Sequence, residues 1–456
     1  MDPGVRSARA DELFAESATL SRYLEVEAAL AACQAQLGVI PEHAARSIEA
    51  FARAENIDRA RYRQDFETVG FPIVGLLRQL AEIVPEGHGE FVHWGATTQD
   101  IMDTGLVLAL RDILAWTENS LDEVIANLTP LAERHRRTLM IGRSQMQHAV
   151  PITFGYKVAG WLVPLLRHLR RLAELRPRLL QVQFGGAVGT LASLGAQGFE
   201  VRRLLAERLG LGEPTISWHT QRDALGELIT FFGLLTGSLS KIATDVMLLA
   251  QTEVGEVGEP VKPGRGASST MPQKRNPVLS QQIIVAGRLV RSHASGMLEA
   301  MVQDHERGSA TWQSEWTLVP DAASHTLAAL ERMVELTDGL EVHPDRMRAN
   351  LGLTDHLVFA EAVMMALARH VGRQRAHDLV DAAVAETRQG SSFINALHRS
   401  KEISGVLAPS DLKRIFDGKV YVDAADRVVA DVLDIASSPN HGGGRTSSKL
   451  CGSSSS

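Results

Sequence analysis

Apolar residues step by three and four through Leu225, Leu228, Phe232, Leu235, Leu239, Ile242, Val246 and Leu249 without a break. This spacing puts every member on one side of an α-helix and makes a heptad-type stripe. No proline interrupts residues 215–259, and at about 1.5 Å per residue a helix carrying the stripe is close to 40 Å long. A second stripe runs through Leu106, Leu110, Ile113, Thr117, Leu121, Val124, Leu128 and Leu131. Residues 154–175 and 278–302 carry the same helical pattern, with Pro164 marking a kink in the first of them. Leu, Ala, Arg and Glu dominate these segments, and no run alternates β-branched with polar residues as a strand would. The pattern therefore predicts an all-α fold, a bundle of long helices. Helices this long bury more than one face, and small residues at Gly226, Gly233, Gly237, Ser238, Ser240 and Ala243 allow close approach of further helices, so self-association is expected. Shorter helices separated by Gly and Pro occupy either end. The predicted organisation is an N-terminal helical domain (1–104), a central bundle domain (105–342), a C-terminal helical domain (343–436) and a tail (437–456) with too little apolar surface to order.

Composition narrows the class of protein. The 456 residues are 45% hydrophobic, 22% charged and 5% aromatic, the profile of a globular chain with a large core. A formal net charge of −7 gives no overall positive field for a phosphate backbone, so nucleic acid is not an expected partner. The basic run Arg167, Arg170, Arg171, Arg176 and Arg178 reads as the solvated face of a helix. The two cysteines, Cys33 and Cys451, can build neither a disulfide framework nor a thiolate metal site, which fits a reducing cytoplasm. Charges crowd the first dozen residues, and the longest charge-free apolar run, residues 228–240, is shorter than the roughly 18 a membrane helix needs. Neither a signal peptide nor a membrane span is expected. No His-x-x-x-His pair or carboxylate cluster has ligand spacing, so no metal is implied. The run Gly185-Gly-Ala-Val-Gly189 lacks the spacing of a nucleotide loop and reads as a tight turn. The expected chemistry needs no cofactor.

Its centre is Gly264-Arg-Gly-Ala-Ser-Ser-Thr-Met-Pro-Gln-Lys-Arg-Asn-Pro277, a polar loop between two long helices. Ser268 could act as a base if an ammonium and backbone N–H groups stabilise its alkoxide, and Lys274 and Asn276 could hold a carboxylate whose α-carbon loses a proton. The same residues also suit a Ser/Thr-rich helix cap with a solvated lysine.

This loop resembles the signature Gly-Ser-Ser-x-Met-Pro-x-Lys-x-Asn of the fumarase/aspartase superfamily, with Ala267 as a mild departure. The residues His93-Trp-Gly-Ala-Thr-Thr-Gln-Asp-Ile-Met-Asp-Thr104 resemble the first of its common regions, and Gly142-Arg-Ser-Gln-Met-Gln-His-Ala-Val-Pro-Ile-Thr-Phe-Gly155 the second. Within the superfamily the resemblance is strongest to the 3-carboxy-cis,cis-muconate cycloisomerases. It implies a homotetramer around a central helical bundle, with each active site drawing its three regions from three subunits and acting on a small polycarboxylate. Carried over by position, Ser268 would be the base on a mobile loop, and Lys274 beside it would bind a substrate carboxylate. Asn276, Thr97, Thr98 and His93 would grip substrate carboxylates, with Ser144, Gln145, Arg222 and Arg307 as further substrate contacts.

One departure speaks to the reaction. Many superfamily members carry Thr-His in the second region, the His acting as an acid paired with a Glu seven residues after the signature lysine. Here those positions are Ser144-Gln145 and Gln281. An amide cannot give up a proton at neutral pH, and a carboxylate needs none in order to leave. This argues for lactonisation, in which a carboxylate adds across a double bond, and against elimination of an amine or hydroxide. Muconate-type enzymes also lack the histidine, although they typically carry an apolar residue, often Trp, where this chain has Gln145. Elimination of another stable anion, such as nitrite from nitrosuccinate, stays open, as does a non-catalytic helical scaffold that lost its chemistry with the His/Glu pair. His148 is expected to be structural.

Overall fold

A computed structural model describes residues 4–438. The expected tail falls largely outside the described residues, as does Cys451. Helices dominate, and the all-α bundle is observed: among the described residues, long helices span Thr98–Arg134, Phe154–Leu179, Asp223–Leu249, Val278–Ala300 and Thr311–Asp338. All eight residues of the first apolar stripe are buried, none more than 3% exposed, because the 3.6-residue turn keeps them on one face. The Thr311–Asp338 helix was not legible as a long element, since Pro320 interrupts it. By length and composition Asp223–Leu249 could also cross a membrane. Half of its most apolar stretch is buried within the protein, and Glu227 and Lys241 pair with Arg178 and Asp245 along it, so it is a core helix.

The chain divides into two compact units. One comprises Met1–Ser120, Arg170–Leu239 and Gln282–Glu331, the other Leu121–Leu169, Ser240–Gln281 and Arg332–Ser456. Every division point falls inside a long helix, so each of the five contributes a segment to both units. In the first unit Glu16–Gln36 brings Leu20, Leu24 and Leu30 against Ile73, Leu76 and Leu80 of Pro72–Ile83 and against Phe184 and Leu205. In the second, Ala360–Val371 and Arg373–Arg388 enclose a core that includes Val363, Leu367, Leu379 and Phe393.

The second unit also contains a hairpin that the pattern of β-branched residues did not disclose. Strands β1 (Leu139–Ser144) and β2 (Gln147–Thr153) pair antiparallel, Ser144 opposite Gln147 and Arg143 opposite His148. Gln145 and Met146 form the two-residue turn with φ of 51° and 60°. Positive φ at both positions is the mirror-image turn that matches the twist of paired strands. A shorter pair, β3 (Val257–Gly258) and β4 (Glu341–Val342), precedes the signature loop and follows the last long helix.

Candidate active site

In the first unit the site is built on the start of the Thr98–Arg134 helix. Thr97 caps it: the Thr97 carbonyl accepts from the Asp100 N–H at 2.9 Å, and the Thr97 N–H donates to Asp100 Oδ2 at 3.1 Å. Thr98 is the first helical residue. A helix N-terminus offers unpaired N–H groups and the positive end of the dipole, the environment a carboxylate requires. Arg307 stands over this cap, donating from Nη1 to Thr97 Oγ1 at 2.9 Å and, more distantly, to the Ala187 carbonyl at 3.4 Å. Among the described residues no carboxylate forms an ion pair with Arg307, so its charge faces only neutral acceptors. Burial lowers its pKa, while Asp100 and Asp103 act from further away in the opposite sense.

Asp100 holds the cap in place. It is fully buried and accepts from the N–H groups of Gly185 (3.0 Å) and Gly186 (2.9 Å) and from His219 Nε2 at 2.7 Å, while His219 Nδ1 meets Ser217 Oγ at 3.0 Å. The glycine-rich turn therefore carries its N–H groups to a carboxylate of the protein itself. Gly186 has φ of 68°, and a Cβ there would lie 3.1 Å from the Gly95 carbonyl, which ties this turn to the His93 segment. His93, at φ 61°, is fixed twice by Glu27: its N–H donates to Oε2 at 3.1 Å and its Nδ1 donates to Oε1 at 2.6 Å. Burial disfavours the charged ring, but the charge and hydrogen bond of Glu27, with a smaller contribution from Asp100, more than offset it, so the His93 pKa is raised. Nε2 is left as the ring nitrogen without a partner among the described residues.

Arg222 departs from its expected role. It is buried between Asp103, which takes bonds of 2.7 and 3.0 Å from Nη1 and Nη2, and Glu315, which accepts from Nε at 2.9 Å and from Nη2; the Trp218 carbonyl is reached at 3.4 Å. All five guanidinium N–H groups are directed at protein acceptors, leaving none for a substrate. Arg222 is a buried strut holding the Thr98–Arg134 helix, not a substrate contact.

In the second unit Ser144 and Gln145 lie exposed at the hairpin tip. The hairpin is anchored by Arg143, which clamps Glu256 through two bonds of 2.8 Å; Glu256 is fully buried and also accepts from Asn350 at 2.8 Å. His148 lies on β2 opposite Arg143, not at the tip. Burial first, then Arg143, depresses its pKa, which holds the ring neutral at neutral pH.

The signature loop closes on itself in the same unit. Ala267 and Arg275 form an antiparallel bridge, and the Asn276 N–H and Nδ2 both donate to the Gly266 carbonyl, at 2.9 and 3.0 Å. Ser268 Oγ accepts from the backbone N–H groups of Met271 at 3.1 Å and Thr270 at 3.4 Å, so the donors an alkoxide needs are supplied by the loop itself. The Lys274 side chain is exposed, and no hydrogen bond or ion pair holds its ammonium among the described residues. Asn276 spends one amide hydrogen on closing the loop, leaving the other and Oδ1 for a ligand. At the loop's ends Arg265 meets Glu335 at 2.7 Å and Lys262 pairs with the same carboxylate. Glu259 caps the Val278–Ala300 helix through the N–H groups of Leu279 and Ser280.

The structure thus groups His93, Thr97, Thr98 and Arg307 in one unit, and Ser144, Gln145, Ser268, Lys274 and Asn276 in the other. Sequence reasoning missed the groups that position them: Glu27, Asp100, Asp103, His219, Glu256 and Glu315. The available signal was charge in apolar surroundings, as with Glu27 among Val26, Ala28, Ala29 and Leu30.

One unit thus carries a serine that accepts backbone N–H groups and a lysine without an ion pair among the described residues, and the other a capped helix N-terminus with an arginine beside it, each a set of groups suited to a carboxylate. The lyase family model matches residues 5–291 and the adenylosuccinate lyase C-terminus model residues 356–432. The chain is 45% identical over 91% of its length to the 3-carboxy-cis,cis-muconate cycloisomerase of Pseudomonas aeruginosa, covering 91% of that protein. It is 43% identical to trans-aconitate decarboxylase 1 of Mycosarcoma maydis over 94% of this chain and 87% of that one. The crystal structure of 3-carboxy-cis,cis-muconate lactonizing enzyme from Pseudomonas putida superposes with a TM-score of 0.90 at 41% identity, over 95% of this chain and 97% of that chain. The chain is an enzyme of the fumarase/aspartase superfamily.

Proposed function

We propose that this enzyme lactonises 3-carboxy-cis,cis-muconate, working as a homotetramer in which each site joins the His93–Thr98 and Arg307 region of one subunit to the hairpin tip and signature loop of others. The observation that carries the reading is Gln145 at the hairpin tip. Where an elimination of amine or hydroxide would need an acid, the chain presents an amide, and the nearest histidine in sequence, His148, sits on a strand with its ring held neutral. Chemistry at this site is therefore matched to a carboxylate as attacking and leaving group, which ionises near pH 4 and needs no proton.

In the forward direction a substrate carboxylate oxygen bonds to the far carbon of a double bond. The π pair moves to the α-carbon and into its carboxylate, whose second negative charge is stabilised by Lys274 and by the Thr97–Arg307 end of the site. The Ser268 hydroxyl gives its proton to the α-carbon, and the resulting alkoxide is held by the Thr270 and Met271 N–H groups until solvent reprotonates it. One carboxylate becomes an ester and one proton is taken up from solvent, so substrate and lactone, counted as free acids, are isomers.

A second reading follows from the 43% identity to an enzyme named for decarboxylating trans-aconitate. Both named substrates are unsaturated tricarboxylates, and decarboxylation also generates a carbanion that Ser268 could protonate. Purified enzyme should be offered 3-carboxy-cis,cis-muconate, trans-aconitate and nitrosuccinate separately, following loss of diene absorbance, release of CO2 and release of nitrite. Diene loss that disappears in Ser268→Ala is expected. CO2 or nitrite release without diene loss overturns lactonisation, and full activity in Ser268→Ala overturns the assigned proton donor.

A further inference from the structure

The first unit holds a cleft that the proposed reaction does not use, lying between the helices Glu16–Gln36, Arg59–Val69, Thr98–Arg134 and Thr311–Asp338. It encloses about 1090 Å³ out to its open mouth, and Tyr23, Tyr62, Phe66, Trp312 and Trp316 supply flat apolar walls. One polar group buried on these walls, Trp316 Nε1, has no hydrogen-bond partner among the described residues. Tyr23 and Tyr62, both less than 8% exposed, line the same cleft. A buried indole N–H normally finds a partner, because leaving one unpaired costs about 1–3 kcal/mol.

Charge selects the occupant. Arg22 lines the cleft and donates through Nη2 to the Leu13 carbonyl at 2.7 Å and to Thr19 Oγ1 at 3.3 Å, both neutral. Its Nε and Nη1 are unbonded, and no carboxylate forms an ion pair with it among the described residues; Asp112 and Glu25 act only from further away. The other lining charges are already matched: Arg63 is neutralised by Glu16, at 2.8 and 2.9 Å, and Asp103 and Glu315 are turned onto Arg222. Among the described residues that line the cleft, Arg22 is thus the cation without a carboxylate partner. The Asp103–Glu315 end carries one negative charge more than Arg222 cancels, which repels a second carboxylate on the ligand.

We infer that this cleft binds a planar aromatic monocarboxylate, with the ring between the tyrosine and tryptophan faces and the carboxylate on Arg22. Benzoate is the probe, titrated into the full-length protein by calorimetry. One saturable site per chain is expected, with weaker binding of benzamide, which lacks the charge, and of cyclohexanecarboxylate, which lacks the flat ring. Arg22→Gln should weaken benzoate at least about tenfold, as loss of a charge-assisted pair does. Tyr62→Phe, which keeps the packed ring and so the fold, should weaken it several-fold. The absence of saturable benzoate binding, binding unchanged in both variants, or stoichiometric displacement by trans-aconitate would each overturn the assignment.

Discussion

Arg222 and Arg307 belong to the same unit and feel the same aspartate, Asp103, yet their surroundings assign them opposite work. Arg222 has every donor committed inside the protein, and removing one partner of a buried pair leaves an uncompensated charge. Arg222→Met should therefore cost about 3–5 kcal/mol of stability. Arg307 is tied only to Thr97 and a distant carbonyl, so Arg307→Met should leave the melting temperature nearly unchanged while raising KM and lowering kcat steeply. Parallel thermal melts and steady-state kinetics check the pair of outcomes; equal loss of stability in both would contradict the division of roles. His93 gives a second expectation, in pH. Its pKa is raised in the folded protein, so the stability contributed by the protonated ring and Glu27 is fully present below the ordinary histidine value near 6.5 and is lost as pH rises through the higher folded value. If charged His93 also holds substrate, kcat/KM falls over that same window. Glu27→Gln removes the offsetting charge, so the alkaline fall should move to lower pH, with the ring titration followed by NMR moving with it. An unmoved profile would separate His93 from substrate binding.

At the scale of elements, the signature loop depends on Gly266 more than on any side chain within it. The residue sits at φ 67°, and a Cβ would fall 2.4 Å from the Asn276 carbonyl oxygen, against the strand-like closure of the loop. Gly266→Ala must open that closure at a cost of about 1–3 kcal/mol of local strain. The displaced Ser268 should lower kcat by roughly ten- to a hundredfold while the loop's surface position leaves the melting temperature close to wild type. The elements differ in how far the sequence disclosed them. The Asp223–Leu249 stripe was legible because one face of one helix carries its whole burial, and the loop because its residue order is distinctive. The hairpin was not, because its turn uses Gln145-Met146 at positive φ where Asn-Gly would signal the same geometry, and because Pro151 lies within β2. The same limit explains Arg222: position alone marked it as a candidate contact, while the carboxylates that occupy it come from residues 119 and 93 positions away.

The whole molecule raises the question of how nine proposed contacts, divided between two units, come to one substrate. On the long helices, Leu234, Val285, Leu289 and Leu298 are between 37% and 53% exposed. Apolar side chains in such numbers on helices otherwise built for burial fit the faces of a multi-subunit bundle. If the sites of the proposed tetramer draw Arg307 from one subunit and Ser268 from another, two inactive proteins can restore each other. Ser268→Ala and Arg307→Gln should each be nearly inactive alone. After mixing in equal amounts, dissociation and reassembly, a site is intact only when its serine comes from one variant and its arginine from the other, so about a quarter of wild-type activity should return under random assembly in a closed symmetric oligomer. Recovery requires exchange of subunits, and so should be absent when the two proteins are mixed without dissociation. No recovery from reassembled tetramers would mean that one chain supplies both residues to the same site.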